Sequence, residues 1–292
     1  MRKCRGLNIK RVEVILVGFN TSLCRNLMDK MGYLDLASKL GLRSDDLLFI
    51  ASDIKQLALD CKATGTHFDT NAFIASFQEV LSSGTIIIPA YTDYLKDGGV
   101  FDHAKAKPST GALSNRVMRM KDFVRSNDPL HSVLVWGQKA EEISNLNSKS
   151  TLGENSVFDY MFKHKAKMVC IDVDFQDSLT FTHYVEEKEK VSYRKPYLWR
   201  MNRIMNGSSE QVELTFHTKK PWILTNLYGL QDDSAKDGVN QTFQHGASRI
   251  QFFDLCEMHD YILSYIKSGK KLYEVSFIHF FKSIAKRILG KS

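Results

Sequence analysis

Four short apolar runs, at 47–51, 85–89, 133–136 and 167–173, set the fold class of this chain. Turn-forming and acidic residues bound them; Asp45-Asp46 and Ser52-Asp53 bracket the first. Each reads as a buried strand. Helical spacing appears between them. Residues 71–81 place Phe73, Phe77, Val80 and Leu81 on one face. Residues 253–266 do the same with Leu255, Met258, Ile262 and Tyr265. Shorter helices are predicted over 34–42, ending near Gly41, over 138–145 and over 156–164. Residues 211–216 alternate like a half-exposed strand, and 221–224 read as another. Strands alternating with helices give an α/β layered sheet. Residues 92–115, rich in Gly, Asp, Ser and Pro, read as an extended active-site loop. No internal repeat is present, and 292 residues suit one large domain or two small ones.

The five cysteines (Cys4, Cys24, Cys61, Cys170, Cys256) are scattered without CxxC spacing. That usage fits a reducing cytoplasm and argues against a disulfide framework or a zinc site. Cys170, inside Met168-Val169-Cys170-Ile171, reads as a core thiol. No stretch approaches the roughly 18–20 apolar residues of a membrane span. The apolar run 12–17 follows a basic start but contains Glu13 and lacks a clear cleavage site, so it reads as a strand or helix turn in preference to a signal peptide.

The net charge of +7 sits at the ends. Arg2, Lys3, Arg5, Lys10 and Arg11 open the chain; Lys282, Lys286, Arg287 and Lys291 close it. Without them the body is slightly acidic, which argues against the broad basic face a nucleic-acid binder needs.

The residues that carry chemistry fall between 84 and 186. An apolar strand ends in Pro89-Ala90-Tyr91-Thr92, followed by the small-residue loop Ser109-Thr110-Gly111-Ala112. His131-Ser132 and then His183 and Glu186 come later. His131 is either a satisfied core histidine or a base near neutral pH, with a carboxylate such as Glu186 to orient it. His183 and Glu186, three apart, can share a helical face; His183 contacts substrate or packs.

In ordered spacing these motifs resemble the aminoglycoside 3-N-acetyltransferase-like family, also called antibiotic N-acetyltransferases. The matches are 84–92, Phe101-Asp102, 108–113, Arg125-Ser126, Pro129, His131-Ser132-Val133, Gly137, Thr180, His183 and Glu186, with weaker similarity over about 40–265. Departures are Asp128, where the pattern has His, Ala51-Ser52-Asp53 for His-Ser-Ser, Ser114-Asn115 for Pro-Glu, and Asp172 for Gly. The resemblance implies an α/β layered sandwich with a central mixed β-sheet flanked by helices. It implies an acyl-CoA:amine N-acyltransferase using acetyl-CoA or another short acyl-CoA, without metal. His131 would be the base, with Glu186 and His183 completing the catalytic set. Ser52, Ser109, Thr110, Gly111, Ala112 and Ser132 would meet the cofactor, and Tyr91 the substrate. A backbone N–H near Ser52 or within 109–113 would hold the oxyanion.

Two acceptor classes compete. Residues 190–203 carry five positive charges and no acid, interleaved with aromatics. They form either a solvated face or a grip on a diphosphate, with Tyr193, Arg194 and Lys195 as substrate contacts. This favours a nucleotide-linked amino sugar of surface-polysaccharide (lipopolysaccharide) biosynthesis over an aminoglycoside of antibiotic resistance. Asp128 and Ala51 leave a third alternative, a catalytically silent binding or assembly relative. The expected organisation is a basic N-terminal segment (1–35), an acyltransferase domain (36–272) and a basic amphipathic helix (273–292). That helix docks on the core or a subunit, or touches the inner face of the membrane from the cytoplasm. The oligomeric state stays open, a homodimer included.

Overall fold

The computed structural model describes residues 32–276, together with Ile278 and Phe281. A 3-10 turn (Tyr33–Asp35) leads into α1 (Leu36–Lys39). The next elements are β1 (Leu47–Ser52), α2 (Lys55–Ala63), α3 (Thr70–Val80) and β2 (Thr85–Pro89). Then follow β3 (Val100–Asp102), α4 (Ala112–Val117), β4 (Val124–Arg125) and β5 (Val133–Gly137). Next are α5 (Ala140–Ser144), α6 (Val157–Lys163), β6 (Lys167–Ile171), α7 (Phe175–Ser178) and α8 (Phe181–Lys188). A long hairpin of β7 (Arg194–Met205) and β8 (Ser208–Lys219) precedes β9 (Ile223–Thr225) and α9 (Tyr228–Lys236). The described chain closes with β10 (Gln241–His245), β11 (Ser248–Asp254), α10 (Leu255–Lys267) and β12 (Tyr273–Val275).

The main sheet is mixed and seven-stranded, in the order β10-β11-β6-β1-β2-β5-β4. β1 runs parallel to both β2 and β6, while β5 and β11 run antiparallel to their neighbours. The four apolar runs are its central strands, and their unbroken apolar character follows from burial on both faces. Alternate side chains feed two cores. Leu48, Ile50, Ile86, Ile88, Leu134 and Val169 meet α1–α4 through Leu36, Leu57, Phe73, Phe77 and Leu113. Phe49, Ala51, Ile87, Val133, Met168 and Cys170 meet α6, α8 and α10 through Phe158, Tyr184, Met258 and Ile262. Each large apolar side chain so buried contributes about 1.5–3 kcal/mol. The result is the expected α/β sandwich with helices on both faces. Burial pushes the Cys170 thiol up to about 12, as a core thiol requires.

Local signals set the helix ends. Asp69 Oδ1 accepts from the Asn71 amide at 2.8 Å to cap α3, and Asp254 Oδ1 accepts from the Cys256 amide at 2.7 Å to cap α10. Gly137 ends β5 at φ +103°, where a Cβ would stand 2.2 Å from Gly84 O, so only glycine fits.

Several elements differ from the sequence expectation. Residues 92–115 are not one loop: β3 and the start of α4 lie within them. The helix expected from 253 starts at Leu255, because Phe253 belongs to β11. The strip 190–203 is largely strand β7. Tyr273–Val275 form β12, which pairs antiparallel with β9, so the tail assigned to a helix from 273 opens as a strand. Most of that tail and of the N-terminal segment, including Cys4 and Cys24, lies outside the described residues. Among the described residues no helix is long and apolar enough to cross a membrane.

Candidate active site

The C-terminal ends of the parallel strands β1, β2 and β6 meet at one edge of the sheet, where open α/β sheets place ligands. A cleft of about 330 Å³ opens there. Ala51 and Ser52 come to it from β1, Pro89, Tyr91 and Asp93 from the end of β2, and Ser109 and Thr110 from the small-residue loop. Val173, Asp177, Ser178, Thr180 and His183 close it from the other side; His131 and Phe216 form its inner wall.

His183 and Glu186 do share a face of α8. His183 Nδ1 stands 2.6 Å from Glu186 Oε2, and the carboxylate is 1% exposed against 21% for the imidazole. Glu186 Oε1 accepts from the Tyr193 hydroxyl at 2.8 Å. Arg194 Nε forms an ion pair with Oε2 at 2.6 Å, although its N–H is not aimed at the oxygen. The same guanidinium lies 2.8 and 3.2 Å from the two ring nitrogens of His183 and donates to His217 O at 2.9 Å. Because the carboxylate can only accept, Nδ1 carries the proton; Nε2 keeps the lone pair, with the Arg194 guanidinium as a donor 3.2 Å from it.

Desolvation pushes the His183 pKa down, and Arg194 adds to this while Glu186 opposes it. Burial alone would raise Glu186, but His183, Arg194 and Tyr193 outweigh it and hold the carboxylate low. The imidazole is therefore neutral, and Glu186 charged, at neutral pH. A base that works in its neutral form loses activity only below its own pKa. The acid limb of kcat/KM is therefore expected below the ordinary histidine value of about 6.5. A pH–rate profile with a midpoint at or above 6.5 would remove His183 as the titrating base.

His131 has different partners. It is 8% exposed, and its Nδ1 lies 2.8 Å from Thr151 Oγ1. Tyr91 meets the ring edge-on with centroids 4.9 Å apart. Burial, then the neighbouring His183, pushes its pKa down to about 3. A group so hard to charge is a poor proton carrier. The expected pairing of His131 with Glu186 is thus corrected: the carboxylate belongs to His183.

The remaining expected residues divide. Ser52, Ser109, Thr110 and Tyr91 line the cleft. Gly111, at φ +104°, and Ala112 lie beside the cleft rather than in its wall, and turn the chain into α4. Ser132 does not face the cleft at all. It is fully buried, donates to Ala90 O at 2.7 Å and accepts from Arg125 Nε at 3.0 Å. The Ser109 amide is spent on Tyr91 O and the Asp53 amide on Ile171 O, which removes both as oxyanion donors.

The basic strip also changes meaning. Arg194 is held by Glu186, Arg200 Nε pairs with Glu213 at 2.9 Å and Arg203 with Glu210 at 2.7 Å. The last two acids lie on β8, directly across the hairpin. Tyr193 is engaged with Glu186, and Lys195 is exposed outside the cleft. Sequence reading missed Asp93, Asp177, Thr151 and Phe216. Position 216 carried only a strand signal, and nothing local marks the other three.

A family model described as aminoglycoside 3-N-acetyltransferase matches residues 61–267. The chain belongs to the aminoglycoside 3-N-acetyltransferase family. It is by family an acyl-CoA:amine N-acyltransferase. Solved structures of the same fold include YokD from Bacillus subtilis, at 18% identity and a TM-score of 0.65, over 81% of this chain and 97% of that one. AAC-IIIb with CoASH superposes at 0.68 with 16% identity, over 82% and 96% of the two chains. AAC-VIa bound to sisomicin superposes at 0.67 with 15% identity, over 82% and 97%. No curated protein matches the chain significantly by sequence. In this member of the aminoglycoside 3-N-acetyltransferase family, Pro89, Tyr91, Ser109, Thr110, His131, Thr180 and His183 of the ordered motifs line one cleft. Among the described residues no cluster of His, Cys, Asp or Glu is arranged to hold a metal.

Proposed function

We propose that the chain transfers the acetyl group of acetyl-CoA to an amino group of a polycationic amino sugar of the aminoglycoside class. One observation carries this reading. The His183–Glu186 pair opens onto a cleft whose lining holds two carboxylates, Asp93 and Asp177, and no Lys or Arg among the described residues. Such a wall attracts a polycation and repels a diphosphate. The cations that would have gripped a nucleotide are answered by Glu186, Glu210 and Glu213. The family and the ligands of AAC-IIIb and AAC-VIa point the same way.

The chemistry follows from the geometry. His183 Nε2 takes a proton from the acceptor's amine as its nitrogen attacks the thioester carbonyl, and Glu186 stabilises the imidazolium. The C–S bond of the tetrahedral intermediate then breaks, and the imidazolium returns the proton to the CoA sulfur. The small-residue loop at Thr110, which lines the cleft, supplies the backbone for the oxyanion and the pantetheine arm.

The test is thiol release from acetyl-CoA with gentamicin- and sisomicin-type amines against nucleotide-linked amino sugars. Turnover is expected with the polycations. Asp177→Asn is expected to raise the KM of a polycationic amine about fivefold, the scale of one exposed ion pair, with the KM for acetyl-CoA unchanged. Turnover confined to nucleotide-linked sugars, with Asp177→Asn lowering their KM, would hand the acceptor to that class. No turnover with any amine would leave the binding or assembly relative.

A further inference from the structure

The Asp128 side chain, where the family pattern has His, is the end of a hydrogen-bonded chain that the acetyl-transfer scheme above does not use. Its Oδ1 accepts from the Leu130 and His131 amides, both at 2.7 Å, and from Thr151 Oγ1 at 2.9 Å. Thr151 is 1% exposed and its oxygen lies 2.8 Å from His131 Nδ1. The directions of these bonds can be worked out. Oδ1, facing two amide donors, is an acceptor, so the Thr151 hydroxyl must spend its only proton on it. The hydroxyl then has lone pairs alone for His131, and Nδ1 must be the protonated ring nitrogen.

The scaffold holds all three groups in place. The Thr151 amide donates to Thr215 O at 3.1 Å and the Thr215 amide to Lys149 O at 2.7 Å, tying Thr151 to β8. The Thr92 amide donates to Leu130 O at 3.0 Å, and Thr92 Oγ1 donates to Pro129 O. Arg203 Nη1 donates to Asn127 O at 3.0 Å. Tyr91, Phe158 and Phe216 pack around the imidazole, with centroids 4.9, 6.0 and 5.7 Å from its own. Neither the ring nor its partners have freedom to exchange roles.

We infer that Thr151 and Asp128 are positioning residues that lock His131 in its Nδ1–H tautomer, so that Nε2 presents a fixed acceptor lone pair to the cleft. An attacking amine has more than one N–H. With His183 taking the proton that leaves, His131 Nε2 accepts a hydrogen bond from an N–H that stays, aiming the nitrogen lone pair at the thioester carbon. The opposite tautomer would point an N–H at the amine and push it away. This use of the lone pair rests on the acetyl-transfer reading; the tautomer itself does not.

Two measurements on the full chain test it. In ¹⁵N–¹H correlation spectra at pH 7, with His131 assigned by comparison with His131→Gln, wild type is expected to show Nδ1 protonated and Nε2 bare. Thr151→Val, which keeps the shape and removes the hydroxyl, is expected to lose that preference. It should raise the amine KM about tenfold, the worth of one buried hydrogen bond, and leave the acetyl-CoA KM unchanged. Thr151→Ser should restore both within about threefold, which a packing role for the threonine methyl would not allow. A bare Nδ1 in wild type overturns the inference, and so does a Thr151→Val enzyme with an unchanged amine KM. Should wild type acetylate no amine, the acetyl-transfer reading falls while the wild-type tautomer still decides the relay.

Discussion

His183→Ala is expected to lower kcat/KM for acetyl transfer by about 10³, within the range found for loss of a positioned general base. The loss should appear almost entirely in kcat. His183 is 21% exposed at the cleft wall, so truncation opens space there; Glu186 Oε2 loses the Nδ1–H donor but keeps the Arg194 charge at 2.6 Å and the Tyr193 hydrogen bond on its other oxygen. The KM values for amine and acetyl-CoA should stay within a few-fold, since neither Asp93 nor Asp177 moves. His131→Ala makes the contrast. If His131 only aims the nucleophile, its loss should cost less in kcat and more in amine KM. Equal kcat losses in both variants would mean that the two imidazoles act as one unit, and a larger loss for His131→Ala would return the base to that residue. Stopped assays at pH 7 with saturating acetyl-CoA separate these outcomes, because both rings are neutral there.

The contrast between the two histidines marks what could and could not be read from the sequence. That His183 and Glu186 share a face follows from a spacing of three within a helix, which is local geometry. That Glu186 does not serve His131 depends on how α8 lies against the sheet, which no local pattern encodes. The central strands were legible because residues such as Phe49, Ile87 and Val135 are buried among other apolar side chains, and that demand shows in composition. β7 was not legible as a strand for the opposite reason. Its Arg200 and Arg203 look like free cations until β8 brings Glu213 and Glu210 across from them. Arg194 looked like a ligand contact because the acid that holds it lies eight residues earlier, on another element. Helix α2 escaped notice because only Leu57 and Cys61 of its nine residues are buried. Ser132 and His131 are neighbours in sequence, yet one meets Arg125 in the core and the other the cleft.

Glu186→Gln tests the deepest part of the site, and its largest effect is expected on stability. The carboxylate is 1% exposed and the Arg194 side chain 6%. Removing one member of a buried ion pair leaves the other charge without compensation, at a cost of about 3–5 kcal/mol. The amide keeps one oxygen for the Tyr193 hydroxyl, so packing is preserved, but its NH₂ then faces donors from His183 and Arg194. A Tm about 10 °C lower is the corresponding readout for a domain of this size. Adding Arg194→Met should recover most of that loss, since the orphaned charge goes with it, but should not recover activity, since Nδ1 of His183 still lacks its acceptor. The pH dependence has a definite sign. The folded Glu186 pKa is held below its ordinary value of 4.5, so its contribution is fully present above pH 4.5 and fades as pH falls through the folded value. The gap in urea midpoint between wild type and Glu186→Gln is therefore widest at pH 7 and narrows below pH 4.5. A gap that stays constant to pH 3 would mean that the variant is destabilised by misfit of the amide and not by loss of the charge. A double variant no more stable than Glu186→Gln would show that Arg194 is tolerated in the interior without its partner.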